Sequence, residues 1–177
     1  MIKGGGVMDV LNAIQDRRSI RKYSPCSIEE DKLKKVLEAG RLSPSASNRQ
    51  SWKFVVVKDA EIRMKLANAA GGQTFIGQAP ITLVACGTDL DGVMMCGQHR
   101  CSVDLSIATA YMILEAHEQG LGTCWLGRFD EKMVKEILCI PDNVRVIAMT
   151  PLGYPDEIPS ARPRKKLEEI VCYDHYE

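Results

Sequence analysis

Two basic clusters stand near opposite ends of the chain, Arg17-Arg18-Ser19-Ile20-Arg21-Lys22-Tyr23 and Arg162-Pro163-Arg164-Lys165-Lys166. A bound phosphate needs positive charge and directional donors. The forked guanidinium of arginine supplies both, and a serine hydroxyl fills a remaining oxygen. Lys and Arg number 23, as do Asp and Glu, for a formal net charge of zero, so this positive charge is local. Arg17, Arg18, Ser19 and Arg21 therefore point to a compact anion, with Arg162 and Arg164 as the second half of its clamp. Taken alone, cations at a helix end also complement the macrodipole and stay in solvent. The second cluster tips the reading toward an anion site.

Two further stretches suit a flat polar ligand. Ser43 to Gln50 is rich in hydroxyls and carries Asn48, donors and acceptors suited to a polar heterocycle or a ribityl chain. The same residues also make ordinary turns. Gly120-Leu121-Gly122-Thr123-Cys124-Trp125-Leu126-Gly127 places three glycines around an aromatic, as expected where backbone lies against a ring. Cys96, His99 and Cys101 form a Cys-x2-His-x-Cys cluster that matches no common zinc spacing, and no metal is assigned to it. Trp52, Trp125 and His117 are read as packing residues.

Local pattern places these stretches on elements. Asp9 is expected to cap a helix with Val10, Leu11 and Ile14 on one face, which delivers the paired arginines at its end. Ser27 and Glu30 form a capping-box pattern for a helix carrying Leu33, Val36 and Leu37 and stopping before Gly40. Strands are expected over 53–58 and 81–86, joined by a helix from 59 to 70, with a mobile loop over 87–100. A helix over 102–119, ended by Gly120, is apolar nearly all round and needs cover on two sides, which argues for a homodimer. The alternative is a central helix wrapped by its own domain. A helix from Asp130 to Pro141, a strand over 144–149 and a last strand over 167–171 complete the pattern.

At 177 residues, 45% of them hydrophobic and 26% charged, the sequence reads as one domain over 1–177, with residues 1–7 a flexible leader. Balanced charge argues against a nucleic-acid partner. No run of about 18 apolar residues reads as a membrane span, and no apolar leader segment is seen. A cytoplasmic protein is expected. The seven cysteines are expected mostly as reduced, small apolar residues. No GxGxxG follows a strand, so no built-in dinucleotide site is indicated.

Six pieces in order carry a resemblance over nearly the whole chain: RRSIRKY, SPSASNRQSWKFVVV, AP-x-x-LVAC, GLGTCWLGRFD, IPDNVRVIAMTPLGYP and RPRKKLEEIV. Together they resemble the nitroreductase family of FMN-dependent oxidoreductases in its short form. The resemblance implies an α+β fold with a mixed, mainly antiparallel central sheet flanked by helices. It also implies an intertwined homodimer with an exchanged C-terminal strand and FMN at the subunit interface. By motif position, Arg17, Ser19, Arg162 and Arg164 would hold the FMN phosphate, flanked by Arg18, and Arg21 would lie near the pyrimidine edge. Pro44, Ser45, Ala46 and Asn48 would come from the other subunit, and Gln73 would reach the ring's polar edge. Leu126, Gly127 and Arg128 would give backbone contacts over the ring, including a donor to N5. The flavin carries the chemistry, so no side chain is assigned as catalytic.

The implied activity is reduction of nitroaromatics, quinones or similar electron-poor small molecules, with NAD(P)H as a visiting reductant in a ping-pong cycle. Two alternatives stay open. One is another flavin reaction on the same fold, such as flavin reduction, dehalogenation or metabolite oxidation. The other is a non-enzymatic flavin-binding or redox-sensing protein.

Overall fold

The strand with the least polar surroundings sets the architecture. In Ile81–Gly87 every residue is buried, which requires cover on both faces of the sheet. A computed structural model of the chain, which describes residues 9–176, supplies that cover. Four antiparallel strands run in the order β1-β2-β4-β3, with β1 Trp52–Val57, β2 Ile81–Gly87, β3 Gly122–Thr123 and β4 Arg145–Gly153. The helices are α1 Val10–Asp16, α2 Glu30–Arg41, α3 Ala60–Ala69, α4 Phe75–Gln78, α5 Arg100–Glu118 and α6 Glu131–Leu138. This is the expected α+β arrangement.

Alternation along β2 divides the core. Ile81 and Leu83 face α2 and α5, packing with Leu33, Val36, Met112 and Ala116. Val84 and Cys86 face α3, α4 and α6, packing with Leu66, Ile76 and Val134. Full burial of each such aliphatic side chain contributes about 1.5–3 kcal/mol. A bulge opposite Ala85 and Cys86 skips Ile147 in β4. The extra residue turns Val146 and Met149, three apart in sequence, onto the same face.

Several boundaries differ from the sequence reading. Asp9 precedes α1 but its side chain makes no capping bond. The second helix begins at Glu30 behind Glu29, not at a Ser27 capping box. Gly40 does not stop that helix but lies inside it, because a Cβ there would meet the Met112 Sδ of α5 at 2.7 Å. The sixth helix ends at Cys139, held in the left-handed region at φ 53°, before Pro141 is reached. Asp59 and Asp130 do cap their helices, accepting from the backbone N–H of Ile62 and Met133.

The fourth strand continues past Met149 through Pro151, although proline has no ladder N–H to give. The β3–β4 pairing stops after Thr123–Leu152 and resumes at Leu126–Met149, so the gap falls at Pro151. Residues 167–171 are not a strand. Leu167–Glu169 is a short 3-10 turn, exposed and without a neighbouring strand to pair with. A strand needs a ladder partner, and among the described residues this segment has none.

The long helix α5 has its own chain on one side only. Leu105, Ala108, Met112 and Ala116 are buried, whereas Ser102, Ser106, Ala110 and Tyr111 are exposed. Its neighbour α1 also turns apolar residues outward, with Val10, Leu11 and Ile14 more than half exposed. The expected leader over 1–7 lies outside the described residues. No helix among the described residues is long and apolar enough to cross a membrane. None of the seven cysteines forms a disulfide; Cys86, Cys101 and Cys124 are buried and the other four exposed.

Candidate functional site

Arg17 to Tyr23 leaves α1 as an extended strap laid along the sheet edge. Ser19 forms a parallel bridge with Thr123, and the Ile20 N–H donates to the Thr123 carbonyl at 2.8 Å. Ile20 and Tyr23 are the anchors, both 6% exposed and packed with Ala79 and Phe75. The Tyr23 hydroxyl donates to the Ile20 carbonyl at 2.7 Å, and burial pushes its pKa far above the usual phenol range. Gly122 permits the close approach, because a Cβ there would lie 2.6 Å from Ile20 Cγ1. Arg17, Arg18, Ser19 and Arg21 are not buried with these anchors.

The chain after β4 runs back beside this strap. Tyr23 pairs with Pro155, Ser24 N–H donates to the Tyr154 carbonyl, and Asp156 N–H donates to the Lys22 carbonyl. The Lys22–Asp156 ion pair at 2.8 Å and the bond from Arg21 N–H to Glu157 Oε1 at 2.5 Å add to the tie. These contacts bring Pro159 to Arg164 alongside residues 14–21, around a cleft of about 540 Å³. The two basic clusters thus meet.

Five arginines, Arg17, Arg18, Arg21, Arg162 and Arg164, line this cleft together with Ser19, and no carboxylate does. The five differ in how far the protein already uses them. Arg18 Nη1 donates to the Gln15 carbonyl at 2.7 Å and the Arg17 carbonyl at 3.0 Å, closing the end of α1. Arg164 Nη1 reaches the Arg162 and Pro163 carbonyls, both at 3.3 Å, and Arg21 Nη1 reaches the Ser19 carbonyl at 3.5 Å. Among the described residues, neither the Arg17 nor the Arg162 guanidinium has a protein acceptor. Such clustered, unneutralised guanidinium groups suit a phosphate dianion.

A second region gathers the 124–128 turn and the 71–73 segment. Gln73 Nε2 donates to the Ala70 carbonyl at 2.9 Å and the Arg128 carbonyl at 3.4 Å, while Arg128 Nε would lie 3.7 Å from a Cβ on Gly71. Leu126 departs from expectation. Its N–H and carbonyl exchange hydrogen bonds with Met149 at 2.9 and 3.1 Å, and its side chain is buried. Both backbone groups are committed to the sheet, so Leu126 has none to offer a ring. Gly127 and Arg128, both exposed, remain as candidate donors. Trp125 is 38% exposed beside them.

The loop carrying Pro44, Ser45, Ala46 and Asn48 does not reach the arginine cleft of its own chain. It is tied near the start of α5, where Ala46 N–H donates to Asp104. The other end of α5 carries His117, which lines a smaller cleft with Arg17 and Arg18. Thirteen residues of helix at 1.5 Å rise separate Asp104 from His117, roughly 20 Å. Within one chain the loop and the arginine cleft therefore stand apart.

Two residues of this region escape the sequence reading. His117, assigned to packing, borders the cleft with its Nε2 buried and unpartnered, and burial holds its pKa below the usual imidazole value. Asp104 is a buried acid, and the signal for it was the lone carboxylate in the apolar run from 103 to 114. The loop cluster separates: Cys96 is exposed, while Cys101 is buried against Gly87.

Comparison with known proteins agrees with this geometry. The sequence model of the nitroreductase family matches residues 14–90 and 69–154. An NADH dehydrogenase of Thermus thermophilus is 31% identical over 198 residues, spanning 94% of this chain and 97% of that one. The structure of an FMN-dependent nitroreductase from Clostridium difficile R20291 superposes with a TM-score of 0.82 at 31% identity, covering 94% of this chain and 99% of that one. An NADPH:FMN oxidoreductase from Vibrio harveyi, solved with NAD+, gives a TM-score of 0.87 at 28% identity over 95% of this chain and 78% of that one.

Proposed function

The chain belongs to the nitroreductase family, and from that premise we propose that it is an NAD(P)H-dependent oxidoreductase with bound FMN, acting as a homodimer on small electron-poor molecules. The observation that carries the cofactor is the five-arginine cleft built from both ends of the chain, with no carboxylate in its wall. Its residues fit FMN. Arg17 and Arg162, the two cleft guanidinium groups without an acceptor among the described residues, would be the main phosphate ligands, supported by Arg18, Ser19 and Arg164. Arg21 lies toward the pyrimidine edge, where a cation stabilises the negative charge of a reduced ring.

FMN, when bound, supplies the redox chemistry, accepting reducing equivalents from NAD(P)H and passing them to the acceptor. The backbone N–H groups of Gly127 and Arg128 would be the donors for N5 and would tune its potential without moving a proton of their own. Gln73, held to the Arg128 carbonyl, fixes that turn and would serve the ring's polar edge. Pro44, Ser45, Ala46 and Asn48 of a second copy close the site. The absence of a built-in dinucleotide motif supports a ping-pong cycle in which the reductant leaves before a nitroaromatic or quinone enters. The whole chain is read as one such domain.

The outward apolar side chains of α1 and the exposed Tyr111 of α5 support the dimer, as do the exposed Leu167, Ile170 and Tyr173 of the tail. We place the tail on the partner subunit, where a sheet edge would give it ladder bonds.

The test is the visible spectrum of the purified protein, followed anaerobically with NADH and with NADPH. Flavin bands that bleach with nicotinamide and return repeatedly with a nitroaromatic or a quinone support the enzyme. Bands reduced once, without turnover, point to a carrier. A protein that neither holds nor takes up FMN overturns the reading.

A further inference from the structure

Asp104 is 5% exposed, on the inner side of α5, and makes no ion pair among the described residues. A buried carboxylate without a counter-cation is costly unless hydrogen bonds hold it, and asparagine or serine would fill the place at lower cost. Its carboxylate accepts from the Ala46 N–H at 3.1 Å to Oδ1 and 3.2 Å to Oδ2. Among the described residues this is the one hydrogen bond that enters residues 44–50 from outside residues 43–52.

The loop needs such a tether. Ser47, Asn48 and Gln50 all stand in the left-handed region, at φ 53°, 53° and 52°, which side-chain-bearing residues seldom adopt. Internal bonds shape the turn, with Ser45 Oγ accepting from Gln50 N–H and the Ser45 carbonyl accepting from Asn48 N–H. They fix its form but not its position. Among the described residues the Asp104 bond alone ties it by hydrogen bonding to α5, the helix whose far end carries His117 into the smaller cleft shared with Arg17 and Arg18.

We propose that Asp104 is a positioning residue that sets the 43–50 loop for contact with the flavin held in the partner subunit's cleft. This rests on the FMN reading above. The loop contacts the ring and ribityl chain, not the phosphate. Loss of Asp104 therefore weakens FMN and riboflavin alike, whereas loss of Arg17 weakens FMN alone.

The test uses the full-length dimer and its Asp104→Ala, Asp104→Asn and Ala46→Pro variants, titrated with FMN and with riboflavin. Asp104→Ala is expected to raise both dissociation constants about tenfold and to shift the flavin's potential and visible circular dichroism. Asp104→Asn keeps an acceptor for Ala46 N–H and is expected to restore affinity to within about threefold. Ala46→Pro deletes the donor instead, and Ser45 already has the extended backbone (φ −141°, ψ 156°) that a following proline requires. It should reproduce the alanine phenotype, and it carries the test if Asp104→Ala does not fold. Unchanged affinity, potential and dichroism in Asp104→Ala and Ala46→Pro would overturn the proposal, as would an Asp104→Asn variant as weak as alanine. If the parent protein binds neither flavin, the FMN reading falls and this inference with it. If the parent binds and Arg17→Ala weakens FMN, the FMN reading stands whatever Asp104 does.

Discussion

Removing a single guanidinium from the arginine cleft should discriminate between flavins that differ only by a phosphate. The five cleft arginines are not equivalent. Arg17 is half-buried and has no acceptor among the described residues, so its donors are available to a ligand. A hydrogen bond to a charged group contributes about 1.5–3 kcal/mol, which for Arg17→Ala corresponds to roughly a 10- to 150-fold rise in the FMN dissociation constant. Arg162 is equally unpartnered but more exposed, and its loss should lie near the lower end, about tenfold. Arg18 already gives Nη1 to two carbonyls, so Arg18→Ala should cost only about threefold in FMN affinity and act mainly by fraying α1. Fluorescence titration of the flavin-free dimer at two salt concentrations provides the measurement. Riboflavin should bind all three variants within about twofold of the parent, and the salt dependence of FMN binding should flatten in Arg17→Ala. Equal losses for riboflavin and FMN would show that Arg17 acts through the fold. Unchanged FMN affinity would remove it from the phosphate site.

Two further perturbations probe how the cleft is held. Gly122→Ala sets a methyl 2.6 Å from Ile20 Cγ1 and 2.9 Å from its Cβ, and a buried β-branched side chain has little freedom to yield. We expect urea unfolding to show a loss of about 1–3 kcal/mol, with FMN affinity falling as the strap lifts from Thr123; parent-like values for both would mean the edge adapts. His117 has a folded pKa lowered chiefly by burial, with Asp16 and Glu118 opposing and Arg17 and Arg18 adding to the shift. The unfolded chain therefore binds the extra proton first, so stability is full above about pH 6.5 and declines as pH falls below it. Denaturant midpoints at pH 7.5 and pH 5.5 should differ less in His117→Gln than in the parent, and identical pH dependence would assign the decline to other groups.

Much of the molecule was legible along the chain because its causes are local. Alternation and apolar runs identified the cores of β1, β2 and β4. Asp59 and Asp130 announced their helices, since a short carboxylate accepts the first free N–H groups wherever a helix begins. The two basic clusters were legible too, because a group of arginines is a matter of residue type. That these two clusters meet was an inference from chemistry. The bridges joining Tyr23 to Pro155 and Lys22 to Asp156 provide its geometry.

What the sequence by itself determined is the family, the two basic clusters and most elements; partners distant in the chain decided the rest. Gly40 reads as a helix stop until Met112 is seen against it, and Leu126 reads as a free donor until Met149 takes both its backbone groups. The paired basic segments carry no sign that Arg18 closes its own helix while Arg17 stands open. Residues 167–171 have a strand's composition, yet a strand exists only where another edge completes its hydrogen bonds, and among the described residues none does. Asp104 shows the same division: its type and its apolar surroundings are written in the sequence, but its bond to Ala46, 58 positions away, exists only once α5 and the loop are packed together.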